Sequence, residues 1–165
     1  MTDLIEQYRA LHRQGKFRGL TTLRHADEIS ALCAKHGAKT LLDYGSGAGE
    51  QYYPPHELQK KWGVEVTCYD PAVDGIDVLP PGFFDGVICI DVLEHIPDDE
   101  LAGVIGAIGD RVNKFAFFSV CCRPSKKTLP DGRNVHLTIK AFAAWERLIR
   151  EYCGSDMDIV VRENP

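Results

Sequence analysis

Thr40-Leu-Leu-Asp-Tyr-Gly-Ser-Gly-Ala-Gly-Glu50 joins a short apolar run, an acid and three alternate glycines in direct succession. Leu41 and Leu42 predict the end of a buried strand. The glycines predict a turn whose backbone can approach a ligand closely, because no Cβ atoms lie in the way. Asp43 would repel a phosphate, since its carboxylate is negative, and instead suits a ligand with a cationic or hydrogen-bond-donating group.

The rest of the chain alternates between strand and helix patterns. Strands are expected at residues 64–69, 85–90, 115–120 and 158–161, with room for one short strand near 76–79. Helices are expected at residues 3–13, 22–36, 56–62, 98–110 and 138–152. This alternation predicts an α/β fold: a single-domain, doubly wound, mostly parallel sheet with helices on both faces, shortened around its third strand and at its C-terminus.

Length and composition are those of an ordinary globular domain, with 165 residues, 26% of them charged and 44% hydrophobic. Residues 1–37 are expected to form an N-terminal helical lid within this single domain, and residues 38–165 the α/β core. The net charge of −5 disfavours wrapping along DNA, so nucleic acid is not an expected partner. Neither a membrane-spanning run nor a signal-peptide core is present in the sequence.

The six cysteines are expected to be free thiols. Cys68 and Cys89 lie inside strand-like runs, and Cys33 lies on a helical face, where free cysteine behaves as a small hydrophobe. The vicinal pair Cys121-Cys122 has no second pair at metal-ligand spacing, so no metal site is predicted. We therefore predict a cytoplasmic protein in a reducing compartment.

Candidate ligand contacts follow from the sheet, because an open parallel sheet binds ligands beyond the carboxyl ends of its strands. The strand before the glycines brings residues 43–49 to this edge, and the strand at 64–69 brings Asp70. The strand at 85–90 brings residues 91–95, and the strand at 115–120 brings residues 119–123. An acid at position 70 can accept both hydroxyls of a ribose, although it would also be an ordinary turn residue before proline.

An acid followed by Gly45-x-Gly47-x-Gly49 resembles the first motif of the class I S-adenosylmethionine-dependent methyltransferases. The resemblance continues through Tyr69-Asp-Pro71, through the stretch from Phe84 to Asp98, and through the strand before Cys121. The stretch from Phe84 to Asp98 is its most specific part, because it looks like the fourth-strand motif of small-molecule members. A looser likeness links the whole pattern to small, phage-associated methyltransferase-like proteins.

The resemblance implies S-adenosyl-L-methionine as the cofactor. It implies a cofactor site at three strand ends, made of Asp43, Gly45, Ser46, Gly47, Gly49, Asp70, Asp91, Val92 and Leu93. Asp43 would accept from the ammonium group of the methionine portion, Asp70 would take the ribose hydroxyls, and Asp91 would lie near the methyl donor. The segment between Asp70 and Asp85 is shorter than the family's, so its adenine contacts are not assigned.

Two basic segments have both a structural and a functional interpretation. The first 24 residues contain five basic residues against two acids, which indicates either a solvated helix face or a basic lid over the site. The loop at 121–138 contains four basic residues against one acid, which indicates either a solvated loop or a binding loop for an anionic group such as a phosphate. The substrate-binding candidates in this loop are Arg123, Lys126, Arg133, Asn134 and His136.

Methyl transfer is an in-line displacement, which the protein assists mostly by aligning donor and acceptor. An oxygen or nitrogen acceptor can also need a base, and histidine has a suitable pKa. His136 is the candidate base, with Asp91 as a second catalytic candidate. His95 is expected to have a structural role at the turn that follows its strand, or to be the base instead. His25 is expected to be a packing or surface residue.

The sequence thus predicts an S-adenosylmethionine-dependent methyltransferase that methylates oxygen or nitrogen of a small acceptor, either neutral or anionic. One alternative is a binding module that keeps the fold without catalysis. A nicotinamide-dependent oxidoreductase is a further alternative, but the chain lacks a complete G-x-G-x-x-G motif. A nucleic-acid methyltransferase fits less well, because Asp91-Val-Leu-Glu94 does not resemble the motif of amino-methylating DNA enzymes.

Overall fold

A single sheet of five parallel strands forms the centre of the protein, whose computed structural model describes residues 2–164. In chain order the strands are β1 (Thr40–Tyr44), β2 (Glu65–Tyr69), β3 (Phe84–Ile90), β4 (Val112–Cys121) and β5 (Asp158–Asn164). They pair in the order β2-β1-β3-β4-β5, and each of these four pairs is parallel. The predicted α/β fold is therefore confirmed.

Five α-helices lie among residues 2–164: two precede β1, and the other three connect strands. They are α1 (Thr2–Arg13), α2 (Ala26–His36), α3 (Leu58–Trp62), α4 (Leu101–Gly109) and α5 (Phe142–Cys153). Short 3₁₀ turns lie at Leu20–His25, Glu50–Tyr52, Leu93–His95 and Asp98–Glu100. Gly37 and Gly63 end α2 and α3 in left-handed conformations, with φ of 56° and 64°, as glycine allows at low cost.

Helices cover both faces of the sheet because side chains alternate along each strand. In β4, Phe115 and Phe117 pack with residues of α2 and α3 on one face. Ala116 and Phe118 pack with residues of α4 and α5 on the other face, where Trp145 of α5 is fully buried. The long apolar runs of β3 and β4 are thus the expected pattern of strands buried on both sides.

Two details of the sequence prediction were wrong. No strand forms at 76–79: the segment turns back on itself through a hydrogen bond from the Asp70 N–H to the Ile76 carbonyl, and Val78 is 80% exposed. The last helix begins at Phe142 instead of residue 138. Thr138 is held outside the helix, because its N–H donates to the Glu94 carbonyl and its hydroxyl donates to the Ile96 carbonyl.

The helix expected at 22–36 begins with a 3₁₀ turn at Leu20–His25 and becomes α-helical only at Ala26. All six cysteines are free thiols, as predicted. Among residues 2–164, no helix is long and apolar enough to cross a membrane. Helix α1 lies across the carboxyl edge of the sheet, because it contacts the segments that follow β2, β3 and β4.

Candidate cofactor and acceptor site

The glycine loop leaves β1 in a left-handed turn. Gly45, Gly47 and Gly49 have φ values of 80°, 61° and 72°, which a residue with a Cβ atom rarely adopts. A Cβ atom on Gly45 would lie 2.3 Å from Val92, and a Cβ atom on Gly47 would lie 2.3 Å from the Phe17 carbonyl oxygen. The backbone conformation therefore favours glycine at all three positions, and close neighbours also require it at Gly45 and Gly47.

The loop's N–H groups all donate to atoms of the protein. The N–H groups of Gly45 and Ser46 donate to the Tyr69 carbonyl at 2.7 and 3.1 Å, and that of Gly49 donates to the Ser46 carbonyl. Three further N–H groups reach neighbouring segments: Gly47 donates to Asp70 Oδ2 at 3.0 Å, Ala48 to the Phe17 carbonyl at 3.1 Å, and Glu50 to the Arg18 carbonyl at 3.2 Å. The loop is thus tied to β2 and to the segment that follows α1.

Asp43 is buried at the end of β1, with 1% of its surface exposed. Its Oδ2 accepts from Gln51 Nε2 at 3.0 Å and from the Tyr52 hydroxyl at 2.6 Å. Burial raises the pKa of this carboxyl to about 6, because the two hydrogen bonds only partly offset the loss of water. A cationic ligand group beside Asp43 would stabilise its charged form.

Asp70 lies at the end of β2, beside the glycine loop and 8% exposed. Its Oδ2 accepts from Gly47 N–H, and its Oδ1 accepts from Ala72 N–H at 2.9 Å. His12 of α1 faces the same carboxylate, with Nε2 at 3.8 Å from Oδ2, and its Nδ1 is buried without a partner. Burial lowers the pKa of His12, so this ring is a neutral neighbour of Asp70.

The three residues that follow β3, Asp91, Val92 and Leu93, have side chains in different surroundings. Asp91 has a left-handed φ of 55°, and its carboxylate accepts from the Ser119 hydroxyl and from the Asn164 side-chain amide. Val92 contacts Gly45 of the loop. Leu93 is fully buried in the core, so its side chain does not line the site as the resemblance implies.

His25 packs as predicted, with its ring centroid 5.2 Å from that of Phe117 on the sheet. Its Nε2 is buried without a hydrogen-bond partner. Burial lowers the pKa of this imidazole, and the nearby Asp91 carboxylate opposes that shift only in part. The ring is therefore neutral near pH 7 and belongs to the packed wall behind Asp91.

Glu94, His95 and His136 form a compact cluster whose donor atoms lie within 4.8 Å of one another. That spacing could hold a metal ion, although no metal site was predicted from the sequence. Backbone groups hold one atom of each side chain. Glu94 Oε1 accepts from Cys121 N–H at 3.1 Å, and the Nδ1 atoms of His95 and His136 lie 2.8 and 2.6 Å from the carbonyl oxygens of Val135 and Arg123.

The ionisation of this cluster follows from its burial. Glu94 has no exposed surface and its Oε2 has no hydrogen-bond partner among residues 2–164, so burial raises the pKa of its carboxyl to about 8. Burial, together with the neighbouring His136, lowers the pKa of His95 to about 3. At neutral pH the buried pair is therefore uncharged. His136 is half-buried and lies on the outer side of the cluster, its ring perpendicular to that of His95 at 4.9 Å.

Two of the predicted substrate-binding residues have structural partners within their own loop. Arg133 forms a two-pronged interaction with Asp131, whose carboxylate also accepts from Gln7 of α1. Asn134 ties the loop across itself: its Oδ1 accepts from the N–H groups of Ser125 and His136, and its Nδ2 donates to the Ser125 carbonyl. These residues shape the loop that presents His136.

The other two predicted cations, Arg123 and Lys126, are exposed and form no ion pair among the described residues. Lys127, which the prediction did not select, lies over the Phe17 ring at 4.5 Å. Burial and the positive charge of the nearby Lys16 lower the pKa of Lys127, because both effects disfavour the charged form of its ammonium group. Most of the basic N-terminal residues, in contrast, are paired: Arg9 and Arg13 contact Asp74, and Arg18 contacts Glu50.

Several contributors were not found from the sequence. Tyr8 donates its hydroxyl to the carbonyls of His95 and Val135, which fixes α1 over the histidine cluster. Phe17 packs beside the same histidine, with ring centroids 5.3 Å apart. Glu94 lies in the stretch from Phe84 to Asp98 that resembles the fourth-strand motif, but no role was predicted for it. The sequence contains two signals for these roles. Phe17 is an aromatic residue between two glycines, and Glu94 is an acid directly before a histidine.

A cavity of about 250 Å³ lies beyond the glycine loop, lined by Ala48, Gly49, Tyr52, Tyr53, Gln59, Val66, Cys68 and Ile76. It is smaller than the roughly 300–1,000 Å³ of ordinary ligand pockets, and neither Asp43 nor Asp70 lines it. The two carboxylates fit an adenosyl cofactor with a methionine tail. Asp43 is buried and would be stabilised by a cationic group, and Asp70 lies beside a glycine turn.

Comparisons with known proteins agree with this geometry. The family model for the methyltransferase domain matches residues 10–153. A ubiquinone biosynthesis O-methyltransferase of Azotobacter vinelandii is 35% identical over 101 residues, which are 60% of this chain and 41% of that protein. The enzyme of the same name from Chromobacterium violaceum is 34% identical over 76 residues, which are 45% of this chain and 31% of that protein.

The matches therefore cover less than half the length of these two relatives. No solved structure matches the chain significantly. The family match includes α1 from residue 10, the whole glycine loop, the histidine cluster and α5. Residues 2–9 of α1, which include Tyr8, and the whole of β5 lie outside the matched range.

Proposed function

Since the chain belongs to the methyltransferase-domain family, within the class I S-adenosylmethionine-dependent methyltransferases, we propose that it transfers a methyl group from S-adenosyl-L-methionine to a small acceptor. The observation that carries this proposal is the pair of buried carboxylates, Asp43 and Asp70, on neighbouring strand ends beside a left-handed glycine turn. Family membership implies S-adenosylmethionine as the methyl donor. When bound, its sulfonium supplies the methyl group.

Asp43 would hold the ammonium group of the cofactor. Its raised pKa supports this role, because a buried carboxylate without a cation gains most from an ammonium partner. Asp70 would accept the ribose hydroxyls, exchanging its hydrogen bond to Gly47 N–H for them. Gly45, with Val92 packed against it, would form the wall beneath the methionine portion. Leu93 would contribute through its backbone only, since its side chain is in the core.

The acceptor would bind between α1, the histidine cluster and the loop after β4. The unpaired cations around that loop, Arg123, Lys126 and Lys127, together with Lys16, support an anionic acceptor, because the protein as a whole is negative and would otherwise repel one. The relatives are named as O-methyltransferases, and we propose an oxygen acceptor. A methyl-transfer screen that pairs each anionic acceptor, phosphorylated sugars included, with a neutral analogue would test this choice.

His136 would take the proton that an acceptor hydroxyl loses. It is one of two half-buried members of the cluster, and its Nδ1 is held by the Arg123 carbonyl, which directs Nε2 away from that carbonyl. Asp91 would not be the base, because its two oxygens accept from Ser119 and Asn164. Its left-handed backbone instead supports a role in placing Val92 against the glycine loop.

Calorimetry with S-adenosylhomocysteine tests the cofactor assignment. We expect Asp70→Ala to weaken binding by about 30-fold, because a hydrogen bond to a charged group contributes roughly 2 kcal/mol. Asp99→Ala, an exposed aspartate near the start of α4, is the matched control and should bind like the wild type. Equal affinities of Asp70→Ala and wild type would refute the ribose assignment, and preference for NAD over S-adenosylhomocysteine would refute the proposed class.

The free thiols also support a reducing compartment, and we therefore propose that the protein is located in the cytoplasm.

A further inference from the structure

The segment from Gly15 to Gly19, here called the strap, joins α1 to the 3₁₀ turn at Leu20–His25 and crosses directly over the glycine loop. The Phe17 carbonyl accepts from Ala48 N–H, and the Arg18 carbonyl accepts from Glu50 N–H, at 3.1 and 3.2 Å. The Arg18 guanidinium also binds both oxygens of the Glu50 carboxylate. The strap is therefore bonded to the loop that is proposed to receive the cofactor.

The strap and the glycine loop are in direct contact, so there is no space for a ligand between them. A Cβ atom on Gly47 would lie 2.3 Å from the Phe17 carbonyl oxygen and 3.0 Å from the Gly19 nitrogen. These are backbone atoms, which cannot swing aside as a side chain can. A cofactor that contacts the outer face of Gly47 therefore requires the strap to move as a unit.

The strap is held in place by its aromatic side chain. The Phe17 ring packs against His12, His95 and Tyr8, with centroid distances of 5.4, 5.3 and 6.1 Å, and the Lys127 ammonium lies 4.5 Å above it. These groups belong to α1, to the turn after β3 and to the loop after β4. One ring thus contacts three walls of the proposed acceptor site.

The backbone of the strap has the features of a movable element. Phe17 has a left-handed φ of 52°, a conformation that is unfavourable for a residue with a side chain and that persists here because the ring is packed. Gly15 and Gly19 bracket it with φ of 74° and 88°, and glycine readily absorbs large changes in both dihedrals. Release of the Phe17 ring would therefore relieve strain and free the segment between two glycines.

We propose that the strap is a gate over the cofactor site, with Phe17 as its latch. Binding of the cofactor releases the Phe17 carbonyl from Ala48 N–H and removes the ring from the space between His12 and His95. The apparent cofactor affinity is then lower than the intrinsic affinity by the fraction of molecules in which the gate is open. This inference rests on the proposed function, because it assumes the same cofactor site.

Trypsin digestion tests the gate, since Lys16 and Arg18 lie in the strap and cleavage requires local opening of the chain. We expect S-adenosylhomocysteine to accelerate cleavage after Lys16 and Arg18 several-fold, although a bound ligand ordinarily protects a protein. Cleavage after Lys60 and Lys61 in α3 is the internal control and should not accelerate.

The latch is tested by the affinity of Phe17→Ala for S-adenosylhomocysteine. Without the ring the gate opens more often, so we expect calorimetry to show about tenfold tighter binding, the gain that follows if one molecule in ten is open in the wild type. Phe83→Ala, which removes an exposed ring after the irregular segment, is the matched control.

Slower cleavage of the liganded strap, or weaker binding by Phe17→Ala, would overturn the gate alone, because either result describes a lid that closes over the cofactor. A wild type that binds no S-adenosylhomocysteine would overturn the proposed function, and the gate with it.

Discussion

Gly47→Ala is expected to lower the free energy of unfolding by about 3 kcal/mol. Two effects add: a left-handed φ of 61° costs a non-glycine residue roughly 1 kcal/mol, and a Cβ atom 2.3 Å from the Phe17 carbonyl oxygen adds roughly 2 kcal/mol of overpacking. The neighbour is backbone, so relief requires displacement of the strap. Urea unfolding of wild type and variant measures the difference directly.

Gly63→Ala separates the two effects. Gly63 ends α3 with a φ of 64°, close to that of Gly47, but a Cβ atom there would have no neighbour within 4 Å. We expect this variant to lose only about 1 kcal/mol, the cost of the left-handed conformation. If both variants lose the same stability, the close approach of strap and loop does not exist in solution.

The same glycine shows how far the sequence could be interpreted. Its spacing within Gly45-x-Gly47-x-Gly49 correctly indicated a turn beyond a strand, because a turn is a local feature of the chain. Its contact with Phe17, which lies 30 residues earlier (47 − 17), depends on how α1 crosses the sheet. No periodicity in the sequence states that path. The glycine turn was therefore predictable from its spacing, and a lid was one interpretation of the N-terminal segment, but the contact between Phe17 and Gly47 was not predicted.

The histidine cluster illustrates the same limit at the acceptor side. The sequence indicated His95 and His136 separately, as residues able to accept a proton, but could not show that their rings meet at 4.9 Å. Glu94 was missed as a member because an acid before a histidine is common on protein surfaces. Only the fold shows that it has no exposed surface and that one oxygen lacks a partner.

The predictions for the irregular segments were wrong for a related reason. The run near 76–79 has strand-like residues, yet it has no free partner strand in register and closes into a turn through Asp70 and Ile76. The start of α5 moved to Phe142 because Thr138 bonds to the turn after β3. In both places tertiary hydrogen bonds outweigh local propensity, whereas β3 and β4, whose long apolar runs must be buried, were predicted closely.

Glu94→Gln is expected to stabilise the protein by about 3 to 5 kcal/mol at pH 9 and to have little effect at pH 4. The pKa of the Glu94 carboxyl is about 8 in the folded protein, against an ordinary value of 4.5, because burial penalises its charged form. Between these two values the folded state holds a proton that the unfolded state has lost, so stability falls as the pH rises. A difference of roughly 3.5 pKa units (8 − 4.5), at about 1.4 kcal/mol each, gives the upper end of the range.

Glutamine is close in shape to the neutral carboxyl, can still accept from Cys121 N–H, and cannot ionise, so it should remove this pH dependence. The measurement is urea unfolding of wild type and variant from pH 4 to pH 9, with EDTA present so that no ion neutralises the cluster. Glu65→Gln, on the exposed side of β2, is the matched control and should leave the difference from wild type flat with pH. A flat difference for Glu94→Gln as well would mean that Glu94 is solvated or paired in solution, and that burial does not keep its carboxyl uncharged at neutral pH.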